Sequence, residues 1–545
     1  MGIGKTINLL DCTLRDGGYV NDWRFGQSNI ISIFERLTNA NTDIIEIGFL
    51  DERRPFDVDR SIMPNTESVN KLYGSLDKKN SLVVGMIDYG TCSIDNIQPC
   101  SESYLDGIRV IFKMHLMKEA LEYCRQIKEK GYIVFAQLVS ITTYEEEDIK
   151  NLAKLANAVM PDAVSIVDTY GLLYPDSVIR YYRWLDEYLD KDISIGFHAH
   201  NNLQLGYANA LAFISENEDR NIVVDGTLYG MGKSAGNAPI ELIAKTLNEN
   251  YGGNYDIDSM LEAITESILP VYSVTSWGYK PFFYLCSKNE VHPNYLTQFE
   301  SKSNLSESKI DELLSKIEPQ DKKLLYDKEI GEKLYEEYLE KYLSDKKAIE
   351  DFSKTVMGKE LLIVGPGKNI KLQHKNVENF IKNNNTYVIS INYLPENIKT
   401  DCVFITNGKR YLDMTIPLHK EENKSIQVLA TSNIEPKNTE FDFVVNREPL
   451  LEKNEKIIDN SFLMLLKFLD VAGVKKVSCA GFDGYSDKED NYCNPVMEYN
   501  FVKQEAFHLN KHMKESIKEH RRNMEINFIT YSAYDAEEDI LSAGI

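Results

Sequence analysis

The sequence lacks any run of about 18 apolar residues, the minimum for a helix that crosses a membrane. Its first residues lack the long apolar segment of a secretory signal. Positive charge is also in short supply: 61 Lys+Arg stand against 84 Asp+Glu, a net charge of -23. So acidic a surface repels phosphate backbones and argues against general nucleic-acid binding, while leaving room for a locally positive pocket. The eight cysteines (Cys12, Cys92, Cys100, Cys124, Cys286, Cys402, Cys479 and Cys493) are scattered with no CxxC pair. Neither a disulfide framework nor a thiolate zinc site is expected. These absences describe a soluble cytoplasmic protein with no membrane or nucleic-acid partner. What is plentiful is apolar: 43% of 545 residues are hydrophobic, enough for two or three cored domains.

In the first half, eight short runs rich in β-branched residues read as strands: Ile7–Leu14, Asp43–Phe49, Ser81–Asp88, Gly107–Phe112, Tyr132–Val139, Ala163–Thr169, Ser194–His200 and Asn221–Leu228. Several are nearly continuous in apolar character, as strands buried on both faces should be. Helical patterns fill most gaps, among them 29–40, 117–130, 176–191 and 205–216. The alternation predicts an α/β chain that opens with a (β/α)8 TIM barrel over residues 1–255. A doubly wound open sheet is the rival topology. A barrel demands that reactive residues gather at the C-terminal strand ends. Arg15 and Asp16 follow the first run, Glu46 sits late in the second, and Asp168 with Thr169 ends the sixth. His198 and His200 end the seventh, and a glycine-rich loop (GTLYGMGKSAGN) follows the eighth.

His198 and His200 stand two apart on a strand, so both imidazoles point to one face. Asp16, two strands away in a closed barrel, completes a two-His, one-carboxylate set suited to a catalytic divalent ion. Taken alone, an HxH is more often one packed and one solvated histidine. The barrel and Asp16 favour the metal.

The segment Asp11–Gly18 (DCTLRDGG) resembles the DxTLRDG opening of the DRE-TIM metallolyases, relatives of HMG-CoA lyase, isopropylmalate synthase and 4-hydroxy-2-oxovalerate aldolase. Gly196–Leu203 (GFHAHNNL) and Asp225–Glu241 (DGTLYGMGKSAGNAPIE) resemble their later motifs, the last most like that of the 4-hydroxy-2-oxo acid aldolases. The resemblance implies that Asp16, His198 and His200 bind a divalent metal, Mn2+ or Mg2+ ahead of Co2+ or Zn2+, with Asn237 as a further ligand or a group that supports the ligands. It implies that Arg15 stabilises an enolate oxygen and that Glu46 orients Arg15 or a metal-bound water, a purely structural ion pair with Arg15 being the alternative. The implied reaction makes or breaks a carbon–carbon bond beside a 2-oxo acid, with an aldehyde as the other substrate. An acyl-CoA-dependent Claisen synthase and an inactive barrel scaffold are the alternatives. The resemblance also brings a homodimer and a partner aldehyde dehydrogenase into view. One departure matters: where the aldolases carry a histidine after RDG, this sequence has Tyr19, whose ordinary pKa near 10 makes a poor base. Asp22 and His292 are the substitutes. Asp168, Thr169 and Tyr279 are candidate substrate contacts, and Lys233 a candidate for a carboxylate or phosphate.

Residues 256–350 read as a helical extension, with 344–358 a boundary, and 351–545 as a Rossmann-like α/β domain. Gly365, Gly367 and Asn369 form a glycine-rich turn after its first strand. With Asn392 they make a candidate nucleotide or nucleotide-sugar site, loosely resembling domains of surface-polysaccharide enzymes. Two further patterns are set aside. Met1–Thr6 mimics a myristoylation signal and Gly4–Thr6 the end of a P-loop, but neither has the required context.

Overall fold

The computed structural model describes residues 7–535 except 218, 303, 343–344, 437–439, 495–496 and 499. The Met1–Thr6 patterns lie outside the described residues. The chain divides into two compact units, residues 1–293 with 318–326, and residues 294–317 with 327–545.

In the first unit, nine strands form one parallel sheet: β1 (Ile7–Asp11), β2 (Ile44–Leu50), β3 (Ile62–Met63), β4 (Leu82–Asp88), β5 (Gly107–Phe112), β6 (Ile133–Leu138), β7 (Ala163–Asp168), β8 (Ser194–Ala199) and β9 (Ile222–Gly226). Their order is β1-β9-β8-β7-β6-β5-β4-β2, and β1 pairs with β2 to close an eight-stranded barrel. The two-residue β3 extends the far end of β2 (Phe49↔Ile62). The eight apolar runs are the eight barrel strands. Surrounding helices such as Met117–Glu129 and Pro175–Tyr188 bury their apolar stripes against the barrel.

The two-residue period of a strand builds the interior in layers. Leu10, Ile44, Phe135, Ala163 and Val223 form an apolar floor. Two residues further along the same strands stand Cys12, Glu46, Gln137, Ser165 and Asp225, all buried. Arg109 on β5 and His198 on β8 join this polar layer. Polar groups buried this deeply must satisfy one another, so the layer has one self-consistent arrangement.

The second unit holds a seven-stranded, wholly parallel sheet: β10 (Glu360–Val364), β11 (Thr386–Ile391), β12 (Cys402–Ile405), β13 (Gln427–Thr431), β14 (Phe443–Val445), β15 (Lys476–Ala480) and β16 (Glu525–Phe528). The order β14-β13-β12-β11-β10-β15-β16 reverses direction between β10 and β15. The expected boundary is itself a helix, Asp345–Val356, whose Phe352 is buried in the core of this unit among Tyr387, Phe443 and Phe468.

Candidate metal centre and active site

The DCTLRDGG segment is shaped by its own hydrogen bonds. Asp11 accepts from the Thr13 amide (2.9 Å) and hydroxyl (2.7 Å), and Thr13 Oγ1 accepts from Leu228 N at 2.8 Å. The exit of β1 is thereby pinned to the loop after β9. Trp23 Nε1 donates to the Arg15 carbonyl at 2.7 Å. Gly18 must be glycine, since a Cβ there would lie 2.0 Å from the Trp23 ring.

Arg15 and Asp16 then face the polar layer. Arg15 Nε donates to Glu46 Oε2 at 2.7 Å, and Arg15 Nη1 to Asp16 Oδ2 at 2.5 Å. Glu46 Oε2 also lies 3.2 Å from Arg109 Nη1. Arg109 Nη2 donates to Asp225 Oδ2 at 2.5 Å and to Gln137 Oε1 at 3.0 Å. The same Asp225 oxygen is 3.0 Å from His198 Nδ1. His198 Nε2 in turn stands 3.5 Å from Asp16 Oδ2. The six side chains Arg15, Glu46, Arg109, Asp225, His198 and Asp16 thus close a ring of buried, alternating charge.

Asp225 holds the His198 Nδ1 proton and leaves Nε2 facing Asp16. That Nε2, and the Asn237 amide oxygen, are buried with no hydrogen-bond partner among the described residues. His200 Nε2 is 3.8 Å from Asp16 Oδ2. These separations are too long for good hydrogen bonds, but they suit ligands that each approach one ion to about 2.0–2.2 Å. Asp16, His198 and His200 therefore fit a divalent ion, with the Asn237 oxygen as a fourth donor. Asn237 Nδ2 donates to Asp16 Oδ1 at 2.9 Å and orients that carboxylate. Gly232 keeps the space open: a Cβ would lie 2.2 Å from Asn237 Nδ2 and 2.8 Å from Asp16 Oδ1. A second grouping, Cys12, His198 and Asp225, is less suited to metal. Burial pushes the Cys12 thiol well up, it donates to the Gly226 carbonyl, and the His198 nitrogen on that side is already engaged.

Burial works against the Asp16 charge, but Arg15, His200 and His198 override it and hold the carboxyl well below its usual range. Burial also opposes a charged His198, yet Asp16 and Asp225 raise its pKa. Burial drives His200 down to about 4, so its imidazole is neutral and ready to ligate near pH 7.

The other candidates divide. Tyr19 packs against Trp23 and Phe49, with ring centroids 4.8 and 6.2 Å away. Its side chain is 44% exposed, yet burial around it and the nearby Asp16 charge push the phenol up to about 12. Asp22 is exposed and pairs with Arg60 at 2.9 Å. His292 meets Tyr170 edge-to-face and Tyr326 at a tilt, and burial with Lys233 and Lys113 lowers it to about 4. Asp168 accepts from the amides of Leu172 (2.8 Å) and Leu173 (3.1 Å), and Thr169 Oγ1 from Ser140 N (2.7 Å). Both hydrogen-bond to loops over the barrel. Tyr279 is 57% exposed, and no hydrogen bond joins it to the cluster among the described residues.

In the second unit, the glycine-rich turn meets its own chain. Asp483 Oδ2 accepts from Asn369 N at 2.8 Å, and Gly367 N donates to Gly481 O at 2.9 Å. A carboxylate of the protein thus stands where a phosphate would be cradled. Asn392 bonds Thr406 and Ser461, tying β11 to β12 and to the helix Ser461–Val471. Gly365 packs against Gly481 and the Phe482 ring.

Sequence reasoning missed Arg109, Asp225 and Gln137. A signal existed: each is a polar residue inside an apolar strand (GIRVIF, IVVDG and IVFAQL), and a group buried there must have a partner.

The site can be set beside known proteins. The HMGL-like family model matches residues 6–266. The 4-hydroxy-2-oxovalerate aldolase of Thermomicrobium roseum is 28% identical over 48% of this chain and 73% of its own. The oxaloacetate decarboxylase of Mycobacterium tuberculosis is 28% identical over 50% of this chain and 80% of its own. A solved HMG-CoA lyase from Bacillus subtilis aligns with a TM-score of 0.41 at 16% identity, over 51% of this chain and 96% of that one. The residues matched by the HMGL-like family model include the ring of charge and its candidate metal ligands.

Proposed function

We propose that this chain is a divalent-metal-dependent carbon–carbon lyase that forms or cleaves the bond beside a 2-oxo acid, as 4-hydroxy-2-oxo acid aldolases do. One observation carries the reading: the donors of Asp16, His198 and His200 lie within 4.8 Å of one another, and Arg15 is bonded to that same Asp16. Mn2+ or Mg2+ suits the mixed nitrogen and oxygen set. When bound, the ion supplies Lewis acidity toward the carbonyl of the 2-oxo acid.

The chain's own residues do the rest. Glu46 and Asp16 fix Arg15 through Nε and Nη1. Arg15 Nη2 makes no hydrogen bond to a described residue and remains free to meet negative charge growing on the substrate oxygen. Tyr19, pushed up to about 12, keeps its proton near neutrality and serves as a hydrogen-bond donor. His292, lowered to about 4, is neutral there and offers its ring as a hydrogen-bond partner for the acceptor hydroxyl. Asp168 and Thr169 shape the loops that frame the substrate. The reading gives no part to Tyr279, and no ligand to the turn at Gly365, Gly367 and Asn369.

Aldol cleavage and the decarboxylation of oxaloacetate both deliver a pyruvate-type enolate, so both relatives fit this site. The test is pyruvate release from 4-hydroxy-2-oxovalerate, 4-hydroxy-2-oxohexanoate and oxaloacetate, coupled to lactate dehydrogenase, with Mn2+, Mg2+ or EDTA. Release that requires the metal is expected. Thiol release from acetyl-CoA without pyruvate release would favour the Claisen synthase instead. Inactivity toward all of them would favour the scaffold.

A further inference from the structure

Lys233 stands out in the loop after β9. Its backbone amide lies 3.4 Å from Asp16 Oδ1. Its ammonium lies 5.6 Å from the centre of the Tyr19 ring, so the side chain reaches across the barrel mouth beside the metal ligands. The residue is half-buried. Among the described residues no carboxylate or carbonyl oxygen pairs with its ammonium, whereas Arg15 and Arg109 each hold two carboxylates. A cation drawn partly out of water with only an aromatic face beside it is incompletely compensated. Here that cation sits beside Tyr19 and the Asp16 carboxylate.

Its surroundings extend the positive field. Lys113, exposed just past β5, and Lys233 both act on His292 from separate loops. The chain as a whole carries -23, so two lysines with no carboxylate in ion-pair range among the described residues are a local source of positive field. The carboxylate of the 2-oxo acid has the candidate metal and Arg15 to meet it.

Resting on the lyase reading above, we propose that Lys233 binds an anionic group, a carboxylate or phosphate, on the acceptor half of the substrate. The enzyme's aldehyde is then a charged one, such as an aldehyde acid or an aldehyde phosphate, in preference to acetaldehyde.

The test is pyruvate-dependent aldol addition with matched acceptors: succinic semialdehyde against butanal, and glyceraldehyde 3-phosphate against glyceraldehyde. The wild type is expected to show a KM about tenfold or more lower for the charged member of at least one pair. Lys233→Met removes that preference and Lys233→Arg restores most of it. Equal KM values within both pairs, or no addition with any charged member, overturn the proposal. So does a Lys233→Met variant whose defect is a raised KM for pyruvate, which would give Lys233 to the 2-oxo acid carboxylate. Metal-dependent exchange of pyruvate methyl protons by the wild type is measured alongside. Exchange without acceptor preference sinks this proposal alone, whereas absence of exchange sinks the lyase reading beneath it.

Discussion

Arg109 Nη2 lies 2.5 Å from Asp225 Oδ2, and that same oxygen lies 3.0 Å from His198 Nδ1. A buried arginine outside the candidate ligand set is therefore one step removed from the candidate metal ligand His198. It also touches Glu46, which fixes Arg15. Arg109 thus touches the partners of both His198 and Arg15. Arg109→Met should destabilise the protein by about 3–5 kcal/mol, because it takes a buried cation from both Glu46 and Asp225 and leaves them only Arg15 and His198 as partners. Arg109→Lys should recover part of that. Denaturant unfolding of both variants, with metal titrations, checks the effect.

Asp225 and Asp16 should separate by severity. Asp225→Asn leaves all three direct ligands in place and loosens the imidazole of His198. Metal affinity should fall about 10–100-fold, the usual cost of losing such an outer partner. Asp16→Asn removes a ligand and should cost more than that. Calorimetric titration with Mn2+ measures both, and equal affinities in wild type and Asp16→Asn would refute the ligand assignment.

Tyr19 should act as a donor and not as a base. Since its phenol is pushed up to about 12, Tyr19→Phe should remove no ionisation from the rate profile between about pH 6 and 9. It should lower turnover about tenfold or more and leave Mn2+ affinity within about twofold. A profile that loses a limb near neutrality on this substitution would make Tyr19 the base.

His292 carries a signed dependence of stability on pH. Its folded pKa is about 4, below the ordinary histidine value of 6.5. Between those values the unfolded chain binds a proton that the folded chain refuses. Its contribution is therefore intact above pH 6.5 and lost as pH falls toward 4, by up to about 1.4 kcal/mol per pH unit. Asp11 and Asp168, raised by burial to about 7 and about 6, titrate in the opposite sense. Comparison with His292→Gln cancels them. Unfolding at pH 7 and pH 5 in EDTA should show the wild type losing stability relative to that variant.

Much of this was legible before any coordinates. The barrel strands were visible because strands covered on both faces leave continuous apolar runs such as IIEIGFL. His198, His200 and Asp16 were visible because a two-residue spacing and a strand-end position are local facts. The partners were harder: Arg109 and Asp225 are 116 residues apart and meet across the barrel only because it closes. The turn at Gly365 was readable as a turn, but not that Asp483, 114 residues beyond Asn369, would fill it. The helix Asp345–Val356 read as a boundary because its surface is highly charged, although Phe352 anchors it in a core.

The most direct measurement is exchange of the pyruvate methyl protons in D2O, followed by NMR. The account predicts exchange that requires Mn2+ or Mg2+, stops in EDTA and is absent in Asp16→Asn. Exchange that proceeds unchanged in EDTA, or in Asp16→Asn, would contradict it.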